Sequence, residues 1–126
     1  MKKILYVTTI SKTINAFLVP HIKYLIDEGY KVDAATNITD EISQELVDYN
    51  VEVFQVDFQR NPLSLKNKKA YYEIKKIQSK NKYDIVHVHT PVASFVTRLA
   101  LRKEKSLNMV YTCHGFHFYK GGSIFN

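Results

Sequence analysis

The apolar pattern of this chain keeps changing period, from short unbroken runs to helical spacing and back, and that constrains its fold more than any other feature. Residues 3–8 (KILYVT) are β-branched and almost continuously apolar, as a parallel strand covered on both faces must be. Residues 13–28 carry Phe17, Leu18, Ile22, Leu25 and Ile26 at helical spacing, and Gly29 follows as a helix stop. A second strand is predicted over 31–35. A helix over 40–49 follows, with Ile42, Leu46 and Val47 on one face, and a third strand over 51–56. Asn61-Pro62 reads as a cap and first helical position, opening a helix that runs to about residue 80 with Leu63, Ala70, Ile74 and Ile77 buried. A fourth strand at 84–89, a helix at 92–103 and a fifth strand at 107–113 complete the pattern. Strands alternating with helices at this spacing form right-handed βαβ units. The expected fold class is α/β: one domain over 1–126, with a doubly wound, mostly parallel sheet of five strands in the order 3-2-1-4-5.

Composition agrees and excludes other classes. With 126 residues, 45% hydrophobic and 24% charged, the chain is neither disordered nor a coiled coil, and it suffices for one core. The single Cys113 cannot form an internal disulfide, which fits a reducing compartment. No apolar run reaches the ~18 residues of a membrane span. The opening MKKILYVTTI is broken by polar residues before it can serve as a signal peptide, so a cytoplasmic protein is expected. Residues 120–126 end on Ile124 and Phe125 with nothing after them to pack against, which reads as a cut. Net charge is +6, and seven of the fifteen lysines lie between Lys66 and Lys82 beside one acid, Glu73. Nucleic acid, an anionic membrane and a plain solvated face are all compatible with that stretch.

An open parallel sheet binds ligands at the carboxyl ends of its strands, near the point where strand order reverses. The segments to search are therefore 8–16, 37–39, 57–60, 89–93 and 114–120. The first turn, TTISKTINA, has no glycine, and no G-K-[ST] occurs, which argues against a standard dinucleotide-binding domain and a P-loop NTPase. Histidine remains. His87 and His89 stand two apart on strand four and share a face; His114 and His117 follow strand five, which should lie beside it. A metal site is one reading, but the nearby acids, Asp40 and Asp57, end other strands, and no metal is expected. His87, inside the strand, reads as a core histidine bonded to backbone. His89 and His114, at strand ends, suit a sugar hydroxyl or a phosphate. Cys113 and His114 are adjacent, so their side chains diverge and the thiol reads as buried and inert. Phe116, Phe118 and Tyr119 form either a stacking platform or loop packing.

Four segments taken together, MKKILYVTT, FLVPHIKYLIDEGYKV, KYDIVHVHTPVASFVTRLA and YTCHGFHFYKG, resemble the N-terminal half of retaining glycosyltransferases of family 4, nearest to the bacterial capsule and exopolysaccharide type. The resemblance implies the N-terminal half of a GT-B fold: two Rossmann-like domains facing across a cleft, acceptor mainly on the first and nucleotide-sugar mainly on the second. It implies that His114 contacts the donor sugar as the catalytic position. It also implies that Thr9, Ser11 and Asn15, in the loop 8–16, shape the acceptor site together with His89, Thr90, Pro91, Phe116 and His117. No cofactor is implied, and no general base, since retention in this family is ascribed to a front-face route. Thr-Ile-Ser-Lys-Thr stands where many relatives have a glycine-rich turn, so the phosphate contacts of that turn are not carried over. The chain would be a fragment, inactive alone, of an enzyme that moves a sugar from a nucleotide-sugar donor to a lipid-linked saccharide in surface polysaccharide synthesis. Such an acceptor places Lys68, Lys69, Lys75 and Lys76 against the anionic inner membrane face, docking electrostatically without insertion, peripheral to the membrane and with no nucleic acid partner. The alternatives are a non-catalytic module that partners a separate donor-binding chain, and a histidine-based metal-dependent hydrolase.

Overall fold

The structure is a computed structural model and describes residues 2–59, 64–65, 67–104 and 107–112. Five strands, β1 (Lys3–Ile10), β2 (Lys31–Asn37), β3 (Val53–Gln55), β4 (Ile85–His89) and β5 (Asn108–Thr112), form one sheet in the order β3-β2-β1-β4-β5. Every pairing is parallel, with Tyr6 opposite Ala34 on one side and His87 on the other. Order and direction are those expected from the sequence. β1 is central, and its interior residues from Ile4 to Thr9 are buried, which is why this run carries so little polar alternation.

Alternate residues of each strand feed two cores. Leu5, Val7, Val86 and Val88 pack with Ala70, Ile74 and Ile77 of α4 (Asn67–Asn81) and with Ala93, Val96 and Ala100 of α5 (Pro91–Ala100). Ile4, Tyr6, Val32 and Ala34 meet Ile14, Leu18 and Ile22 on the other face, together with Leu46. Burial of each such valine, leucine or isoleucine side chain stabilises the fold by about 1.5–3 kcal/mol.

The first helical segment is not uniform. It runs as α1 (Ser11–Thr13), a π-helical turn (Ile14–Leu18) and α2 (Val19–Asp27). Pro20 is the physical reason, because its ring has no N–H and crowds the carbonyl four residues back, and a wider turn absorbs both. α2 ends as its glycine requires: Gly29 has φ +101°, its N–H donates to Ile26 O, and Tyr30 N–H donates to Leu25 O.

Three expectations need correction. The helix expected over 40–49 is only α3 (Gln44–Asp48), because Ser43 caps it, its hydroxyl accepting from Glu45 N–H at 3.3 Å. Val47, expected on its buried face, is 53% exposed, and Leu46 alone on that helix is buried. Residues 8–16 are also no loop, since β1 continues to Ile10 and helix begins at Ser11. The Asn61-Pro62 start and Leu63 lie outside the described residues, but Ser64 and Leu65 are not helical, and α4 begins only at Asn67 instead of running from residue 62.

At the amino end of the sheet Asp33 is 2% exposed. Its carboxylate accepts from Tyr83 Oη at 2.6 Å, Lys31 Nζ at 2.6 Å and Glu52 N–H at 3.1 Å. Burial, and then the bond to Asp33, push the Tyr83 phenol far above its ordinary range.

Candidate functional site

Strand order reverses between β1 and β4, so the crevice at their carboxyl ends is where this architecture places a ligand. Two threonines close its floor. Thr9, the last but one residue of β1, and Thr90, following β4, bring their hydroxyls to 2.7 Å, and Thr9 N–H donates to Thr90 Oγ1 at 3.3 Å. Thr90 also caps α5, its carbonyl accepting from Ser94 N–H at 3.0 Å. Its backbone is the telling feature: φ +80°, ψ 145°. The ψ value is what Pro91 demands of the residue before it. The positive φ is a true outlier for a β-branched residue and costs about 1–3 kcal/mol, so the surroundings must hold it. One residue deeper, Thr8 Oγ1 pairs with Thr36 Oγ1 at 2.8 Å, so hydroxyls brace the edge from β2 to β4. Pro91 stands exposed at the rim.

Beneath the crevice lies an aromatic stack. His87 and His89 share a face as their spacing predicts, with ring centroids 4.2 Å apart. Tyr6 of β1 lies 5.4 Å from His89 with planes at 18°, and 5.0 Å from His87 at 50°. Burial raises the Tyr6 phenol above its usual value. The burial of the two histidines is the reverse of that expected from their positions along the strand. His89 is 2% exposed, whereas His87 is only half-buried. His114, Phe116 and His117, and Cys113, Phe118 and Tyr119 with them, lie outside the described residues.

Ser11 and Asn15 are brought near this edge but are turned inward. Ser11 is fully buried; its hydroxyl accepts from Thr39 N–H (3.1 Å) and Asp40 N–H (2.9 Å) and donates to Asp40 O at 3.0 Å. Asn15 donates to Glu41 O at 2.8 Å and accepts from Ser43 N–H at 3.0 Å. Both tie the segment after β2 to the first helix; the Ser11 hydroxyl is fully engaged there, while Asn15 is half-buried. Among the described residues no group of three or more His, Cys, Asp and Glu side chains comes together to hold a metal ion.

The four lysines are split by the helix that carries them. Lys69 forms an ion pair with Asp57 at 2.7 Å, which raises the ammonium and lowers the carboxyl. Lys76 lines a groove beside β3 with Glu52 and Glu73. Lys68 lies on the α5 side, lining a second groove with Tyr72 and Phe95. Lys75 sits over Tyr71, its Nζ 5.6 Å from the ring centroid. Sequence reasoning missed the threonine clasp and the Asp33–Tyr83 bond. The adjacent threonines at the end of β1 and the Thr-Pro step after β4 are the only signals that pointed to the clasp.

The sheet order defines the class, an α/β domain of the doubly wound type with a braced crevice at the strand-order reversal. The comparisons narrow this further. The family described as Glycosyl transferase 4-like matches residues 3–125, and the chain belongs to it. EpsD of Bacillus subtilis (strain 168), which is named a glycosyltransferase, is 36% identical over 127 residues, covering 99% of this chain and 32% of its own length. An Escherichia coli protein named UDP-Gal:alpha-D-GlcNAc-diphosphoundecaprenol alpha-1,3-galactosyltransferase is 37% identical over 59 residues, 47% of this chain and 15% of that protein. MurG of Acinetobacter baumannii shares the fold with a TM-score of 0.69 at 19% identity, over 90% of this chain and 35% of MurG. The chain thus spans about a third of EpsD, the relative that it matches along its whole length.

Proposed function

We propose that this domain is the acceptor-binding half of a glycosyltransferase that moves a sugar from a nucleotide-sugar to a lipid-linked saccharide in the synthesis of a bacterial surface polysaccharide. Family membership over residues 3–125 is the observation that carries the reading. The E. coli relative supports the finer part, since its name states a UDP-sugar donor and a diphosphoundecaprenol-linked acceptor. The acceptor saccharide lies in the crevice between β1 and β4, against Thr90 and Pro91. Thr9 acts there as a positioning residue, because its hydroxyl is already bonded to Thr90. His89, almost wholly buried, acts in the same way from below. Phe116 and His117 line the acceptor, and His114 reaches the donor sugar. Donor binding belongs to chain outside these 126 residues. The domain's share of catalysis is positioning and hydrogen bonding at the transition state, without metal or cofactor. A lipid-linked acceptor is met at the inner membrane face, so the domain works there from the cytoplasm.

Transfer of sugar from nucleotide-sugars to a diphosphoundecaprenol-linked saccharide, followed by mass spectrometry, tests the proposal. The protein joining this domain to its donor-binding half extends the acceptor by one sugar. The 126-residue chain alone does not, and transfer by it above a His114→Ala control contradicts the assignment.

A further inference from the structure

The groove between α4 and α5, about 360 Å³ in volume, is lined by Tyr72, Phe95 and Leu99, which neither core uses, beside Tyr71 and Val96, which border the core. Tyr72 and Phe95 are each 56% exposed and Leu99 43% exposed. The core-facing stripes of the two helices are already supplied by Ala70, Ile74, Ile77, Ala93, Val96 and Ala100. Cations surround this apolar strip. Lys68 lines the groove, Lys75 sits over the Tyr71 ring, and Arg102 donates to Tyr71 Oη at 3.3 Å. Acids are scarce on this side: α5 has none, and Glu73, the only acid of α4, turns the other way to accept from Asp57 N–H at 2.9 Å. Glu104, beside Arg102 and Lys103, is the one carboxylate lining the adjoining hollow.

Apolar tips flanked by cations, with amphipathic tyrosines between them, match the boundary between anionic headgroups and acyl chains. We propose that this α4–α5 face docks the domain on an anionic lipid surface, with Tyr72, Phe95 and Leu99 entering the interface and Lys68, Lys75 and Arg102 meeting headgroups. The inference rests on the preceding reading only for the reason a membrane is met at all. It differs from purely electrostatic docking by the lysine quartet, because Lys69 is held by Asp57 and Lys76 faces the β3 groove.

The test is cosedimentation of the full 126-residue chain with phosphatidylcholine vesicles containing increasing phosphatidylglycerol and no acceptor. Binding rises with the anionic fraction and falls with salt, as charges screened over about 8 Å must. Neutralising Lys68→Gln with Lys75→Gln lowers partitioning about 25-fold, at roughly fivefold per lysine. Phe95→Ser with Leu99→Ser also lowers it, at unchanged charge, while Lys69→Gln with Lys76→Gln changes it less than threefold. The chain has no tryptophan, so Phe95→Trp gives a single reporter whose emission shifts to the blue on anionic vesicles. Equal loss from both lysine pairs, equal binding to neutral vesicles, or an unmoved Phe95→Trp emission overturns the proposal. Vesicles without acceptor keep the two readings apart: absence of docking leaves sugar transfer standing, and absence of transfer leaves docking standing.

Discussion

Thr90 is held in a conformation that few threonines adopt, and the hydroxyl of Thr9 is the group that holds it. Thr9→Val deletes that bond and leaves Thr90 Oγ1 only the longer bond from Thr9 N–H, so denaturant unfolding should show a loss of about 0.5–1.5 kcal/mol. Thr90→Gly removes the backbone strain along with the hydroxyl, and should cost less than Thr90→Val, which loses the same two bonds to Thr9 and keeps the strain. Below them, His89→Ala should depress the melting temperature more than His87→Ala, because His89 alone of the two is almost fully buried. Tyr83 offers a pH signature. Its folded-state pKa is raised, so the stability it contributes is complete below the unfolded value of about 10 and is lost as pH rises beyond it. Tyr83→Phe should cost about 1.5–3 kcal/mol at neutral pH and flatten the alkaline fall in stability, leaving the smaller part due to Tyr6.

At the scale of elements, the βα alternation was legible because each period reports a burial pattern: β1 is buried on both faces and reads as an unbroken apolar run, while α4 shows its core stripe at Ala70, Ile74 and Ile77. What was not legible depended on contacts distant in sequence. Ser11 looked available in a polar turn, but its hydroxyl is consumed by the backbone of Thr39 and Asp40, 28 and 29 residues away. His87 and His89 could be placed on one face but not ranked by burial, since that depends on what packs over each ring. Asp33 passed unnoticed because nothing local announces that Tyr83, 50 residues on, will meet it. The helix stop was local and therefore readable. Gly29→Ala should destabilise by about 1–2 kcal/mol from backbone strain alone, because a Cβ there meets nothing within 4 Å. Thermal denaturation of that single variant checks it.

At the scale of the whole molecule two surfaces matter: the crevice at the strand-order reversal, proposed to take a saccharide, and the α4–α5 face, proposed to dock on lipid. In the enzyme that joins this domain to a donor-binding half, His114→Ala should lower turnover by about 10²–10³-fold, the cost of one hydrogen bond made at the transition state. Its melting temperature should change little. The central claim, that these 126 residues form the acceptor side and not the donor side, is tested most directly by amide chemical-shift mapping on the isotopically labelled chain. A soluble short-chain diphosphate-linked saccharide should shift the amides of Thr9, Thr90 and Val92, while nucleotide-sugars leave them unmoved. Shifts at these amides with nucleotide-sugar and none with the saccharide would contradict the account.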